Sequence, residues 1–231
     1  MSQISQVLAK TVTGVPVRAM ILGAPGSGKG TQTKKIKSHF DVLAISSGDL
    51  LRKHIQGRTQ VGLLAKSYVE NGELVPDNVI VKLIGLELKR VQNKNWFLDG
   101  FPRTADQALV LDDMLDRLSC PLNLVINLDV PEEVILSRIL ERYVHIPSGR
   151  IYNLTYNPPR NPGVDDLTNE PLVHRPDDNP DSLKIRLQRY RSATMPLLDY
   201  YNKKGLLKVF SGNSSDAIYP QIHSMLLETF I

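Results

Sequence analysis

The sequence has little of several features that define other classes of protein. It contains one cysteine, Cys120, so no disulfide can form within the chain, and a reducing intracellular compartment fits this usage. Cys120 lies beside the apolar run LNLVINLDV, which favours burial over reactivity. No run approaches the ~18 unbroken apolar residues of a membrane-spanning helix. The first 18 residues also lack the apolar centre of a secretory signal.

The chain also has little excess of one sign of charge over the other. The chain has 28 Lys and Arg against 24 Asp and Glu, a net charge of +4, and no basic run is interleaved with aromatic residues. This balance suits a small polyanionic molecule better than nucleic acid. At 231 residues and 42% hydrophobic, the chain can build one sizeable core with one or two small inserted lobes. We expect no nucleic-acid or membrane partner, and nothing in the composition requires more than a monomer.

The amino-terminal segment MSQISQVLAKTVTGVPVR has a biased composition. It carries Lys10, Arg18, several hydroxyl side chains and no acidic residue. That bias is typical of a mitochondrial targeting segment, although a frayed terminus has a similar composition. The mitochondrial matrix and, as the alternative, the cytoplasm both stay open on these residues alone.

Short apolar runs rich in β-forming residues alternate with helical segments. Near-continuous apolarity in short strands is typical of a parallel sheet that helices cover on both faces. The sequence therefore predicts an α/β doubly wound, five-stranded parallel sheet, with ligands beyond the carboxyl ends of its strands. The predicted strands are residues 17–23, 42–46, 96–99, 124–130 and 206–211.

Two segments interrupt this alternation. The first has helical character without a core strand and is called the helical insert. The second is rich in Pro, Asn, Gly and Asp, as expected of short hairpins, and is called the polar lobe. The predicted division is core 1–46, helical insert 47–76, core 77–140, polar lobe 141–178 and core 179–231.

The stretch GAPGSGKGT, here called the phosphate loop, follows a predicted strand and precedes a predicted helix. Glycines let backbone N–H groups turn inward around an anion, and Lys29 supplies a cation for the β- and γ-phosphates. The usual hydroxyl after the lysine is replaced by Gly30, and Thr31 comes one place later. Mg²⁺ binding would therefore depend on water and on another carboxylate. The predicted donor-binding residues here are Gly26, Ser27, Gly28, Lys29, Gly30 and Thr31.

The phosphate loop does not identify the reaction. A kinase, a GTPase switch and a nucleic-acid motor all use such a loop. A GTPase switch also needs an NKxD-type element that reads the base, and NKNW at residues 93–96 lacks its aspartate. A dependence on an acceptor monophosphate would separate a kinase from both alternatives.

Three further stretches, ISSGDLLR (45–52), LVPD (74–77) and LDGFPRTADQA (98–108), resemble the adenylate kinase family. With the phosphate loop and the polar lobe, the resemblance covers nearly the whole chain, and DGFPRT after a strand is highly specific. It implies reversible, Mg²⁺-dependent phosphoryl transfer from a nucleoside triphosphate to AMP. It also implies that the helical insert binds AMP and that the polar lobe closes over the donor as a lid.

The resemblance carries specific roles onto the acceptor side. Arg52 and Arg103 match residues that grip the acceptor phosphate, and planar guanidinium groups suit bidentate binding of its oxygens. Gln107 matches the residue that binds the adenine of AMP, and Asp99 matches the carboxylate that orders water around Mg²⁺, with Thr31 nearby. The other residues implied for the AMP site are Ser47, Glu73, Leu74, Val75, Gly100, Phe101 and Pro102.

The resemblance assigns a second group of cations to the donor side. Arg138 and Arg142 are four apart in EEVILSRILER, so a helix through both would place them on one face. Arg175 and Arg186 match residues that span both phosphates at the point of transfer. Arg150 is left open, since a partly exposed hairpin arginine needs no function. The remaining donor-binding candidates are Ile151, Tyr152 and Ser214.

The polar lobe contains His145, Ser148, Asp165 and Thr168 at the spacing at which four cysteines form a zinc site. Relatives of the long-lid type carry either zinc ligands or a hydrogen-bonded cluster here, and these four residues resemble the second. Because neutral serine and threonine are poor zinc ligands, we expect no structural zinc.

The donor base cannot be read from individual residues. RYVHIPSGRIYNLTYNPP, DDLTNEPL and YYNKKGLLKVFSG resemble the GTP-using mitochondrial branch of the family. That resemblance implies GTP as donor, with ATP as the alternative. The long polar lobe disfavours a short-lid pyrimidine monophosphate kinase.

Overall fold

The protein is described by a computed structural model that covers residues 16–230, without the side chain of Phe230. Residues 1–15 of the targeting-like segment, residues 1–18, lie outside the described residues, so that interpretation stays a prediction. No helix within residues 16–230 is long and apolar enough to cross a membrane.

The structure contains one parallel sheet and one separate antiparallel hairpin. The strands are β1 (Arg18–Gly23), β2 (Leu43–Ser46), β3 (Trp96–Asp99), β4 (Leu124–Asp129), β5 (Arg142–His145), β6 (Arg150–Asn153) and β7 (Leu207–Ser211). The order in the five-stranded sheet is β2-β3-β1-β4-β7, with every neighbouring pair parallel, while β5 and β6 form the hairpin. The predicted fold class is confirmed, and the strands agree with prediction to within one residue at each end.

Helices cover both faces of the sheet or form the inserted segments. They are α1 (Lys29–His39), α2 (Ser47–Gln56), α3 (Gln60–Glu70), α4 (Asp77–Val91), α5 (Ala105–Arg117), α6 (Glu132–Leu140), α7 (Pro180–Arg189), α8 (Pro196–Lys203) and α9 (Ser215–Phe230). A π-helical turn, Tyr190–Thr194, separates α7 from α8.

The two faces of the sheet carry separate apolar cores. Ile21 and Ile126 pack into one, whereas Met20 and Val125 pack into the other, as the two-residue period of a strand requires. Trp96, at the amino end of β3, is fully buried in the second core. Cys120 is buried there too, as predicted, and burial raises the pKa of its thiol. These cores hold the strand ends in fixed positions.

The sheet order places its switch point beside β1. The chain passes from β1 to β2 on one side, and after β3 it crosses to β4 on the other side of β1. Gly23 ends β1, and Ile21 is in register with Asp99 at the end of β3. Open α/β sheets bind ligands at such a point, outside the carboxyl ends of the strands. The phosphate loop starts from it.

The prediction that Arg138 and Arg142 share a helical face is wrong. Helix α6 ends at Leu140, and Arg142 begins β5. The sequence RYVH pairs with β6, and Val144 also bridges to Val173 on its other side. Aromatic and β-branched residues favour such pairing, which here outweighs the helical pattern.

Candidate active site

The phosphate loop wraps tightly around its own lysine. Lys29 Nζ donates to the carbonyl oxygens of Gly23 at 2.8 Å and Ala24 at 2.9 Å. Gly28 precedes α1 with a φ of 96°, and a Cβ there would lie 2.7 Å from Ser215 Oγ. Only glycine meets both conditions without strain. The loop therefore brings the amino end of α1, its partial positive charge and a lysine to one place.

Lys29 shares its surroundings with Asp99 at the end of β3. Burial lowers the pKa of Lys29 to about 8, although the neighbouring Asp99 carboxylate opposes the shift. Burial raises the pKa of Asp99, with the Lys29 cation opposing that shift. Each charge thus offsets part of the cost of burying the other, and a bound phosphate would give Lys29 a stronger partner.

Arg103 is held by a network of short contacts after β3. Its Nε donates to the Gly100 carbonyl at 2.8 Å, and its backbone N–H donates to Gln107 Oε1 at 2.8 Å. Gln107 Nε2 in turn donates to Asp77 Oδ1 at 2.6 Å. A primary amide has two N–H donors and two acceptor lone pairs, so Gln107 keeps one of each for a ligand base. The Arg103 side chain is thus fixed before any phosphate arrives.

Gly100 brings the end of β3 against the start of the helical insert. Its φ is 80°, and a Cβ there would lie 2.7 Å from Ser47 Oγ. Ser47 is 2% exposed at the first position of α2. Five residues later on α2, Arg52 Nη2 donates to Asp49 Oδ1 at 2.5 Å. The close approach at Gly100 therefore holds the start of α2, the helix that carries Arg52, against the end of β3.

Arginines from four segments lie close to one another, and the charges of Arg103, Arg142 and Arg186 act on Lys29. The pKa of Arg175 falls to about 9, chiefly through burial and then through the nearby charges of Arg52 and Arg142. Burial also lowers the pKa of Arg103, and the cation of Arg186 lowers it further. Arg175 Nε is buried without a hydrogen-bond partner among the described residues, and clustered cations in such a place are costly unless a polyanion binds. The arrangement therefore selects a ligand that carries several negative charges.

Two acidic residues pair with the cations on β5 and α7. The sequence did not predict these pairs. Asp178 accepts from Arg142 Nε at 2.6 Å and also from its Nη2. Arg186 Nη1 lies 3.1 Å from Asp177 Oδ2 and 3.3 Å from Asp178 Oδ1. The only sequence signal is the pair of aspartates in HRPDD, between Arg175 and α7. These carboxylates fix the positions of both arginine side chains.

Arg138, at the end of α6, joins the phosphate loop to the loop after β7. Its guanidinium donates to the Asn213 carbonyl at 3.0 Å and to the Ser27 carbonyl at 3.3 Å. The guanidinium carbon also lies 5.3 Å from the centre of the Tyr156 ring. Ser214 lies in the same loop, where its hydroxyl accepts from the Ala217 N–H at 3.1 Å and caps α9.

The four residues singled out in the polar lobe form one hydrogen-bonded cluster. His145 Nδ1 lies 2.6 Å from Ser148 Oγ, and Thr168 Oγ1 donates to Asp165 at 3.0 Å. Arg150 makes two contacts with Asp165, at 2.7 Å and 2.6 Å. Glu170, which was not anticipated, lies 2.5 Å from His145 Nε2. Arg150 therefore has a structural partner within the polar lobe.

No group of three or more His, Cys, Asp or Glu side chains in residues 16–230 could hold a metal ion. In the polar lobe, the Arg150 guanidinium occupies both oxygens of Asp165. That the lobe binds no zinc stays a prediction.

The cluster leads to a testable expectation for Asp165→Asn. Arg150 holds the pKa of the Asp165 carboxyl well below its usual range, so the ion pair stabilises the lobe at neutral pH and fails only as acid protonates Asp165. We expect amide hydrogen exchange in β5 and β6 to accelerate at least about tenfold in the variant. The matched control is Asp166→Asn, whose carboxylate accepts from the Arg160 N–H at 2.8 Å. Equal exchange in both variants would contradict this role.

Comparison with known proteins decides the family. The adenylate kinase family model matches residues 21–206, most of the chain. The chain belongs to the adenylate kinase family. A Saccharomyces cerevisiae protein named mitochondrial GTP:AMP phosphotransferase is 47% identical over 96% of this chain and 98% of its own length. A Drosophila melanogaster protein with that name is 41% identical over 90% and 94%. Adenylate kinase 4 of Arabidopsis thaliana is 43% identical over 82% and 78%.

The other candidate residues of this adenylate kinase family member lie on exposed positions, in the interior of the polar lobe or in loops. Gly30 and Thr31 are exposed on the first turn of α1, and Ile151 is partly exposed on β6. Tyr152 is 4% exposed, and its hydroxyl donates to Asp165 at 2.9 Å. Glu73, Leu74, Val75, Phe101 and Pro102 lie in the loops before α4 and before α5. Their contacts with nucleotides stay predictions.

Proposed function

We propose that the protein catalyses reversible phosphoryl transfer from Mg·GTP to AMP, giving GDP and ADP, in the mitochondrial matrix. The observation that carries the proposal is a cluster of cations around Lys29. Arg103 after β3, Arg142 on β5 and Arg186 on α7 act on Lys29, and Arg52 of the helical insert acts on Arg103 and Arg175. Phosphoryl transfer needs alignment, charge neutralisation and exclusion of water more than it needs a base. The cluster provides the first two.

The proposed roles follow the places of the residues. Lys29 and the phosphate loop hold the donor phosphates, with Arg138 and Arg142 on the donor side. Arg52 and Arg103 hold the phosphate of AMP, while Arg175 and Arg186 neutralise charge on the group in transit. Residues 47–76 form the AMP-binding insert, and residues 141–178 form the lid that excludes water. The protein is proposed to act as a monomer.

Asp99 and Thr31 are proposed to hold Mg²⁺ through water. The partly buried Asp99 carboxylate has a raised pKa and the Lys29 cation as neighbour, so a dication with phosphates would stabilise its charged form. Thr31 lies exposed on the first turn of α1, where its hydroxyl is accessible. When bound, Mg²⁺ neutralises charge on the β- and γ-phosphate oxygens.

The choice of GTP and of the matrix is supported by relatives at 41% to 48% identity that are named mitochondrial GTP:AMP phosphotransferase. The loop from Gly212 to Ser214, which Arg138 contacts through Asn213, is the proposed site of base recognition. Guanine and hypoxanthine share O6 and N1–H, whereas adenine has an amino group and a bare N1 there. A site built for guanine would therefore also accept ITP.

We expect GTP and ITP to exceed ATP by about tenfold or more in kcat/KM, the effect of one discriminating hydrogen bond. Initial rates of ADP formation from AMP would be measured with each donor and Mg²⁺, by chromatographic separation of all nucleotides. ATP ahead of GTP would replace the proposal by ATP:AMP transfer on the same sites. Hydrolysis of the donor without any need for AMP would contradict a kinase and favour a switch or motor.

A further inference from the structure

The helix after the polar lobe is interrupted at Tyr190–Thr194. The Met195 N–H donates to the Tyr190 carbonyl at 2.8 Å, a five-residue span that widens the helix by one residue. Pro196 explains the interruption, because proline has no N–H and its ring would collide with the carbonyl of Ser192 in a continuous α-helix. Such π-helical turns occur frequently at functional sites.

The turn points one hydroxyl at the acceptor side of the site. Thr194 is 8% exposed, and its Oγ1 donates to the carbonyl oxygen of Arg103 at 2.9 Å. The two residues are 91 positions apart in the chain. Because Gln107 already accepts from the Arg103 N–H, both backbone polar groups of Arg103 are held by side chains. Its guanidinium is therefore aimed by a clamped backbone.

The same turn continues directly from α7, which carries Arg186. The cation of Arg186 lies close enough to lower the pKa of Arg103. Thr194 thus ties the loop that presents one cation to the helix that presents the other. A shift of the turn would change the separation of two groups that must grip one phosphate.

We propose that Thr194 is a positioning residue for the acceptor phosphate, holding the backbone of Arg103 at a set distance from α7 and Arg186. This inference rests on the proposed function and names a residue that acts through Arg103 without touching the nucleotide. Its effect should therefore fall on the acceptor side and leave donor binding intact.

The test compares Thr194→Val, which keeps the shape and removes the hydroxyl, with Thr194→Ser, which keeps the hydroxyl. We expect Thr194→Val to raise KM for AMP and the calorimetric Kd for AMP about tenfold, with KM for GTP unchanged. Thr194→Ser should restore both values to near those of wild type. Thr194→Cys, with a weak donor of similar size, should shift them in the same direction by less and serves if the valine variant is insoluble.

Tyr200→Phe is the matched control for lost stability. Tyr200 on α8 donates to Asp112 on α5 at 2.5 Å, another tertiary hydrogen bond of the same two chain regions but away from the phosphates. It should lower the melting temperature without changing KM for AMP. Unchanged AMP constants in folded Thr194→Val, or no rescue by serine, would overturn the inference while leaving AMP-dependent transfer by wild type intact. A wild type without that transfer would remove the proposed function, and AMP calorimetry would still test Thr194.

Discussion

Replacing Lys29 by methionine is expected to lower kcat for GTP and AMP by about 100- to 1000-fold, the usual cost of losing one group that stabilises transition-state charge. Methionine keeps the length and the apolar stem but removes the cation that the phosphate loop encloses at 2.8 and 2.9 Å. Initial rates at saturating substrates measure the effect. Lys34→Met, on an exposed position of the same helix, is the control with the same change in charge. Comparable rates in the two variants would remove Lys29 from catalysis.

The same lysine gives donor binding a pH dependence. Its pKa is about 8 in the nucleotide-free protein, and contact with phosphate oxygens raises it. Above that pH the free protein has lost the proton that the complex holds, so GTP binding should take up as much as one proton and weaken as pH rises. At pH 7 the lysine is already protonated in the free protein, so GTP binding should take up almost no proton there. Calorimetry in buffers of different ionisation enthalpy measures this, and Lys29→Met should abolish it.

Replacing Arg103 by methionine is expected to lower kcat/KM for AMP by about 100- to 1000-fold. Neighbouring groups hold both the backbone and the Nε of Arg103 in fixed positions. A neighbouring cation would therefore have to move to replace the charge that Arg103 supplies. Arg103→Lys should recover little, because an ammonium cannot reproduce a bidentate fork. The readouts are rates against AMP concentration and AMP binding by calorimetry.

Two controls accompany the Arg103 variant. Arg117→Met removes an exposed arginine of α5 that pairs with Asp113 at 2.7 Å, and it should leave AMP kinetics unchanged. The melting temperature of Arg103→Met should stay close to that of wild type, since the lost hydrogen bond to Gly100 is offset by relief of repulsion from Arg186. A variant that folds and keeps wild-type turnover with AMP would contradict the assigned role.

The parts of the molecule that were predictable depend on local pattern. The strands ending at Gly23 and Asp99 could be predicted because a buried parallel strand is apolar throughout and is followed by turn residues. The phosphate-binding role of Lys29 could be predicted because glycines at fixed offsets around a lysine are typical of a phosphate loop. The family resemblance then supplied the acceptor residues, which composition and periodicity alone do not distinguish from surface charges.

The parts that were not predictable depend on partners far away in the chain. Arg142 continued a helical pattern, yet pairing with β6 and Val173 made it the start of a strand. Asp178 pairs with Arg142 because the two ends of the polar lobe lie side by side. Thr194 faces Arg103 through a break in a helix whose position follows from Pro196. In each case a tertiary contact decided between local alternatives of similar energy.

The burial of Trp96 also makes the protein convenient to observe. It is the one tryptophan of the chain, it is fully buried, and it begins β3, three residues or roughly 10 Å before Asp99 at the ligand end of that strand. Its fluorescence therefore changes when unfolding exposes the indole to water. Nucleotides arriving at the opposite end of the strand leave the indole in the same dry surroundings. Tryptophan emission can thus certify that each variant is folded while a separate signal follows substrate binding in the same sample.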